Sequence, residues 1–253
     1  MTKRKIDINC DAGESYGRFI VGNDSKVFPH ISSCSIACGF HGGDPVTICN
    51  TIQLAIQHDL RIGAHPSYPD LIGFGRRNVD MSPTDLNACI QYQIAAIKGL
   101  ALSYGAPLQY VKPHGALYNR IATDEVTASV VYSAIADIDP TLHVMGLAGS
   151  RTRSVATDLG LVFIPEAFAD RRYLPSGLLA PRSETNSVIT DADEAANQVL
   201  NLVMNHRVIA TDGSEVSVEA ESICIHGDTS TAIAIATRIS NVLSTNGIQC
   251  SAS

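Results

Sequence analysis

The sequence predicts an α/β fold: a TIM-like barrel of about seven parallel strands, in one domain over residues 1–253. Three observations predict it. Short apolar runs alternate with amphipathic stretches along the whole chain, the pattern of parallel strands joined by right-handed crossovers. The length suits it, because α/β barrels commonly reach ~250 residues as one domain. Finally, four of the eight histidines sit where an apolar run breaks into glycine or proline, in Phe40-His41-Gly42, Ala64-His65-Pro66, Pro113-His114-Gly115 and Ile225-His226-Gly227. Buried strands that end in ionisable groups deliver those groups to one rim of a sheet, where a polar pocket can form.

The strands read as Lys5 to Cys10, Ser35 to Cys38, Leu60 to Ala64, Leu108 to Lys112, Leu142 to Gly146, Leu161 to Pro165 and Ser222 to His226, one short of an eight-stranded barrel. Helix starts are marked by Asp44-Pro45 and Ser82-Pro83, each a capping side chain before proline at the first helical position. Thr123-Asp124-Glu125 and Thr190-Asp191-Ala192-Asp193 place acidic groups in first turns, where they favour the helix dipole. Ile233, Ala236, Ile239, Val242 and Leu243 form a helical stripe between Ser230 and Leu243. Val208-Ile209-Ala210, Asp212-Gly213 and Val216-Ser217-Val218 give a hairpin signal, an excursion from the barrel near 206–219. Arg171 to Thr190, rich in Pro, Ser, Gly and Arg, reads as a long loop, of a length that tends to be functional or mobile.

A net charge of -7 argues against a nucleic-acid surface, which needs a basic stripe. No apolar run approaches the ~18 residues that span a membrane. Lys5 leads directly into Ile6-Asp7-Ile8-Asn9 without a signal-peptide apolar region, so a cytoplasmic location is expected. Seven cysteines with no Cys-x-x-Cys pair are expected as reduced core thiols. Cys34 and Cys38 alone make a weak metal pair. A homo-oligomer is compatible with the sequence.

Several strand ends carry chemistry. Asp11 and Glu14, just beyond the first strand, suit a general base, a metal ligand or a binder of an amine, against the plainer reading of a turn Asp and a solvated Glu. Asp44 and Asp228 have a plain explanation as helix N-caps, the stronger for Asp44 because Pro45 follows. His41 and His226 share that context and are second-tier candidates for binding substrate or phosphate, as is Asp228. A lone buried His is usually a satisfied core residue, but His114 shares its strand end with Lys112, on the same side by alternation. That pair suits an oxyanion or phosphate clamp with an adjacent proton-transfer group, and His65 ends the neighbouring run. Glu166, after Ile164-Pro165, is a further base or cation-orienting group. Asp170, Arg171 and Arg172 begin the long loop; Arg76-Arg77, Arg171-Arg172 and Arg182 offer cations for an anionic ligand, with one arginine of each adjacent pair expected at the surface. There is no Gly-x-x-x-x-Gly-Lys-Ser/Thr loop, no Gly-x-Ser-x-Gly elbow and no Rossmann fingerprint after the first strand.

Seven phrases in order, from residue 6 to about 229, resemble the LamB/YcsF family. They are Asp7-Ile8-Asn9-Cys10-Asp11-Ala12-Gly13-Glu14-Ser15, Ile36 to Pro45, Gly63-Ala64-His65-Pro66, Gly73-Phe74-Gly75-Arg76-Arg77, Val111 to Asn119, Glu166 to Arg171 and Ser222 to Asp228. The resemblance implies a distorted seven-stranded β/α barrel similar to carbohydrate deacetylases. It also implies the role of the A-type subunit in a bacterial-type ATP-dependent 5-oxoprolinase, opening 5-oxo-L-proline to L-glutamate with separate B-type and C-type subunits. The missing P-loop fits ATP bound by, or shared with, those partners. Two departures from the family pattern, Ser67 for a usual Gly and Asn186-Ser187 for Gly-Ala, fall in loops expected at the active rim.

On that reading Asp11 or Glu166 positions water on a phosphorylated amide, His65 and His114 transfer protons, and Lys112 and Arg171 balance carboxylate or phosphate charge. Two alternatives stand beside it. In a metal-dependent deacetylase or amidohydrolase, Asp11, His65 and His114 would hold a divalent ion and work without ATP. Otherwise the chain only binds substrate within a complex while its partners do the chemistry.

Overall fold

The computed structural model describes residues 4–252. Its centre is a closed barrel of seven parallel strands: β1 (Lys5–Ala12), β2 (Ser33–Ala37), β3 (Arg61–His65), β4 (Tyr110–Val111), β5 (His143–Leu147), β6 (Phe163–Phe168) and, out of sequence count, β9 (Ser222–Ile225). Closure comes from β9, which pairs with β6 on one side (Glu166 opposite Ser222) and with β1 on the other (Asp7 opposite Ser222). All seven expected strands are present, most with ends moved by one to three residues. A short β10 (Gln249–Cys250), which the pattern did not reveal, adds to the start of β1.

Helices cover the outside: α2 (Pro45–Gln57), α3 (Pro83–Ser103), α4 (Gly115–Ile121), α5 (Glu125–Ile138), α6 (Arg153–Asp158), α7 (Ala192–Asn205) and α8 (Ala232–Thr245). Their starts follow the sequence signals. Asp44 accepts from the backbone N–H of Val46 and Thr47, Ser82 from Asp85, Asp124 from Val126 and Thr127, and Asp191 from Glu194. Asp228 does not cap a helix, because α8 begins only at Ala232 and its N-cap position is Thr231. Between β1 and β2 there is only the four-residue α1 (Asp24–Val27) and one 3-10 turn. The hairpin lies where expected, β7 (Arg207–Ile209) against β8 (Glu215–Ser217) in a separate two-stranded sheet. Residues 171–190 hold no helix and no strand beyond isolated bridges. Among the described residues no helix is long and apolar enough to cross a membrane.

Strand alternation sorts side chains into two cores. Ile6, Ile8, Cys10 and Ala12 of β1 join the apolar layer under the helices, with Cys34 and Ile36 of β2 and Ile62 and Ala64 of β3. Residues of the other parity fill the barrel, and there the filling is largely polar: Asp7, Asn9, Asp11, Ser33, Ser35, Glu166 and Ser222 are all buried. Tyr110, Met145 and Ile164 form a small separate apolar plug among them. Polar groups sealed from water need partners, and here they find one another. Asp7 accepts from the hydroxyls of Ser32, Ser33 and Ser222 at 2.6, 2.7 and 2.5 Å. The seven cysteines are all unpaired; Cys10, Cys34, Cys38 and Cys224 lie in the core, whereas Cys49, Cys89 and Cys250 are only partly buried.

Candidate active site

Lys112 is the hub of the barrel mouth. One residue past β4, it points inward with only 2% of its surface exposed. Its ammonium lies 2.9 Å from Asp11 Oδ1 and 2.8 Å from Glu166 Oε1, and donates to Asn9 Oδ1 at 2.9 Å. Asn9 in turn donates to Glu166 Oε1 and to Ser222 Oγ, each at 2.8 Å. Burial disfavours the ammonium, but Asp11 and Glu166 outweigh it and hold the Lys112 pKa well above its ordinary value. Burial likewise opposes ionisation of Asp11, yet the neighbouring His65 and the Lys112 ammonium keep its carboxyl well below the usual range. Both groups therefore stay charged at neutral pH.

Two sequence expectations change here. Asp11 lies within β1, which runs on to Ala12, rather than beyond its end. Glu166 sits inside β6, which continues past Pro165 to Phe168. It is wholly buried and absent from the cavity wall, so it touches Lys112 rather than a ligand.

Beside this hub stand three histidines. His65 Nδ1 donates to the Lys112 carbonyl at 2.6 Å, and His114 Nε2 donates to the Phe74 carbonyl at 2.8 Å. Carbonyls only accept, so these nitrogens carry the protons. The remaining nitrogens, His65 Nε2 and His114 Nδ1, face each other at 2.9 Å. Asp11 Oδ1 is 3.3 Å from the first, and Glu14 Oε1 is 3.6 Å from the second. His41 stacks on His114 with centroids 3.8 Å apart and rings 4° from parallel, and its Nε2 meets Glu14 Oε1 at 3.1 Å. Burial and the neighbouring His65 push the His41 pKa down; burial with His41 and His65 does the same to His114. Burial and the carboxylates of Asp11 and Asp228 push Glu14 up. The motif glycines make this crowding feasible. A Cβ on Gly75, whose φ is +63°, would stand 2.7 Å from His114 Cδ2 and 2.9 Å from the His41 Cβ.

As holders of a metal ion, Asp11, His65 and His114 fit only in part. The two histidines offer inward nitrogens with their outer N–H groups fixed on backbone carbonyls, the arrangement of metal-bound imidazoles. Asp11, however, is committed to the Lys112 ammonium.

A cavity of about 540 Å³ opens over the hub, lined by Asp11, His65, Lys112 and His114 and, across it, by Arg76, Arg171, Arg182 and His226. Of the adjacent arginines, Arg77 pairs with Asp70 and Arg172 with Glu194 outside the cavity. Arg76 is held by Asp228, which is that residue's actual role. Arg171 is buried, spends one Nη on the Ala180 carbonyl at 2.5 Å and leaves its buried Nε without a hydrogen-bond partner. Burial and the nearby Arg182 lower its pKa to about 10. Ser67 is buried, its backbone N–H donates to Gln93 of α3 and its hydroxyl to the Tyr68 carbonyl, and neither it nor Asn186 and Ser187 lines the cavity.

The sequence held the residue that orients His226 only as part of the Glu166 to Arg171 phrase, without a role of its own. It is Asp170, which accepts from His226 Nδ1 at 2.8 Å and from its backbone N–H at 3.0 Å. Burial raises the Asp170 pKa, but His226 outweighs it and the net shift is downward. A carboxylate with a depressed folded pKa adds stability above its unfolded value of ~3.9, and that stability is lost as pH falls through the folded value. Asp170→Asn should therefore cost about 1–3 kcal/mol near pH 7. The gap to the parent chain in thermal unfolding should narrow below pH ~4; a gap that stays constant from pH 7 to 3 would refute the pairing.

Nearly the whole chain, the residues of this mouth included, falls within a known family's profile. The profile of the LamB/YcsF family matches residues 6–253. The chain belongs to the LamB/YcsF family. This family member is 47% identical over 245 residues to the A-type subunit of 5-oxoprolinase from Acinetobacter baylyi, covering 97% of this chain and 96% of that one. It is 44% identical over 245 residues to the corresponding 5-oxoprolinase protein of Halalkalibacterium halodurans, covering 97% and 95%. The crystal structure of the lactam utilization protein from Thermus thermophilus superposes with a TM-score of 0.93 at 44% identity, over 98% of this family member and 100% of that chain. At the level of fold alone, a mutant form of the peptidoglycan deacetylase PdaC of Bacillus subtilis reaches 0.51 at 9% identity, over 99% and 88%.

Proposed function

We propose that this chain is the A-type component of an ATP-dependent 5-oxoprolinase that opens 5-oxo-L-proline to L-glutamate, working with B-type and C-type subunits. The observation that carries the reading is near-full-length similarity to proteins named as that component. The cavity agrees with the chemistry. It sets a buried cation and a carboxylate against a cluster of arginines suited to a small anionic ligand.

A five-membered lactam is a stable amide with a poor nitrogen leaving group. Transfer of the γ-phosphoryl group of ATP to the amide oxygen gives an imidate phosphate and ADP. Water adds to the former carbonyl carbon. The ring nitrogen takes up a proton and leaves with the bonding electrons as an amine, and a second water hydrolyses the acyl phosphate to carboxylate and phosphate. Asp11, ionised and on the wall, orients the attacking water. Lys112 faces the negative charge that develops on the amide oxygen, and Glu166 holds that ammonium in place. Arg171, with its unpaired Nε, takes the ring carboxylate beside Arg182. We assign proton delivery to His226 rather than to His65 and His114, because Asp170 orients His226 as a third group orients a general acid–base. ATP enters with or through the partners, in keeping with the absent P-loop.

The test is release of glutamate and phosphate from 5-oxoproline and ATP, by this chain alone and then with its B-type and C-type partners. Coupled release of both products by the assembly supports the reading. No release under either condition removes it.

A further inference from the structure

We propose that Glu14, His65 and His114 form a divalent-metal site at the barrel mouth, with zinc or a similar ion as its ligand and one position open toward Asp11 and the cavity. The starting point is the pair of nitrogens 2.9 Å apart, His65 Nε2 and His114 Nδ1. Their other ring nitrogens are fixed as donors by the carbonyls of Lys112 and Phe74. When both rings are neutral, two lone pairs therefore face each other in a buried space. Something positive must lie between or beside them. A single proton would satisfy two nitrogens, but a third donor converges here as well. Glu14 Oε1 is 3.6 Å from His114 Nδ1, and the donor atoms of Glu14, His65 and His114 all lie within 4.8 Å of one another. Ligands about 2.0–2.1 Å from a tetrahedral ion stand ~3.3 Å apart, between the 2.9 and 3.6 Å found here.

The fold selects among the neighbouring donors. His65 and His114 cross at 82°, so in-plane lone pairs from both can meet at one point. His41 is nearly parallel to His114 and stacked on it, so the two rings cannot both aim in-plane at one ion. His41 serves instead as a positioning residue, its Nε2 3.1 Å from Glu14 Oε1. Asp11 is taken by Lys112. A second trio, Asp11, Cys224 and His226, also lies close together, but the Lys112 ammonium stands 3.1 Å from Cys224 Sγ and would repel a cation there. Two histidines and a carboxylate with an open fourth position is the donor set of a reactive rather than a purely structural ion. Such an ion would polarise an oxygen bound at the cavity wall.

The site stands apart from the lactam assignment, because metal binding is read directly on the full chain. Chelator-treated protein is titrated with cobalt(II), followed by its visible absorption, and with zinc(II) by calorimetry. One equivalent is expected to bind with the intense spectrum of a low-coordinate cobalt site. Glu14→Gln and His114→Gln should each weaken binding by about 100-fold or more and lose that spectrum, while Asp11→Asn keeps both. His41→Ala should keep the band positions and weaken binding about 10–100-fold. Circular dichroism and urea midpoints confirm that each variant is folded. Absence of saturable binding to the folded parent chain overturns the proposal. So does a pattern in which Asp11→Asn abolishes binding and Glu14→Gln preserves it.

Discussion

Replacing Lys112 by Met is expected to lower glutamate formation by the assembled enzyme by about 10²–10³-fold, the range for removing a group aimed at developing negative charge. The same substitution should destabilise the isolated chain by about 3–5 kcal/mol, because Asp11 and Glu166 would be left as buried carboxylates without their cation. These two effects have different origins and can be separated. In the double variant Lys112→Met, Glu166→Gln one of the stranded charges is gone, so part of the stability should return while turnover stays lost. Urea denaturation of the isolated chain and product assays of the complex read the two quantities independently. Turnover within threefold of the parent enzyme in the single variant would dismiss the assigned role of Lys112.

A second large effect is expected at Gly63, a position with no chemistry of its own. It pairs with Tyr110 across β3 and β4, and a Cβ there would lie 2.3 Å from Tyr110 Cζ. The ring has nowhere to retreat: it is fully buried, and its hydroxyl is 3.0 Å from Ser35 Oγ. Gly63→Ala should therefore cost about 3 kcal/mol, at the upper end of overpacking penalties. It should also disturb His65, two residues further along the same strand. Pairing it with Tyr110→Leu, which makes room, should cost less than the two single changes added together. Equilibrium unfolding of the three variants tests this; strict additivity, or a cost below about 1 kcal/mol for Gly63→Ala, would argue against the steric account.

Much of the frame was legible in the sequence, because buried parallel strands and capped helices are written in local runs and in single residues such as Asp44 and Ser82. What misled was local as well. Pro165 resembled a strand terminator, but β6 passes through it: a proline lacks only its donor, and the Pro165 carbonyl still accepts from Glu221 N–H at 2.8 Å. Gln249–Cys250 was too short to signal a strand. The candidate site was legible as a rim and not as a set of partners. Alternation tells which side of a strand a residue faces, but not what it meets across the barrel. Asn9 and Lys112 are 103 residues apart, and Asp170 and His226 are 56 apart. Glu14 and His41 were visible as motif residues, while their convergence with His65 and His114 depends on loops from three strands closing together.

The polar filling of the barrel also has a consequence for inheritance and redesign. Asp7, Asn9, Glu166, Lys112 and Ser222 form one connected chain of contacts. Changing a single link strands a donor or a charge in a place that water cannot reach. Such a chain behaves as one unit of variation: its members are exchanged together or kept together. Transplanting the reactive rim onto another barrel thus means carrying over the column beneath it, although only Lys112 of that column reaches the cavity.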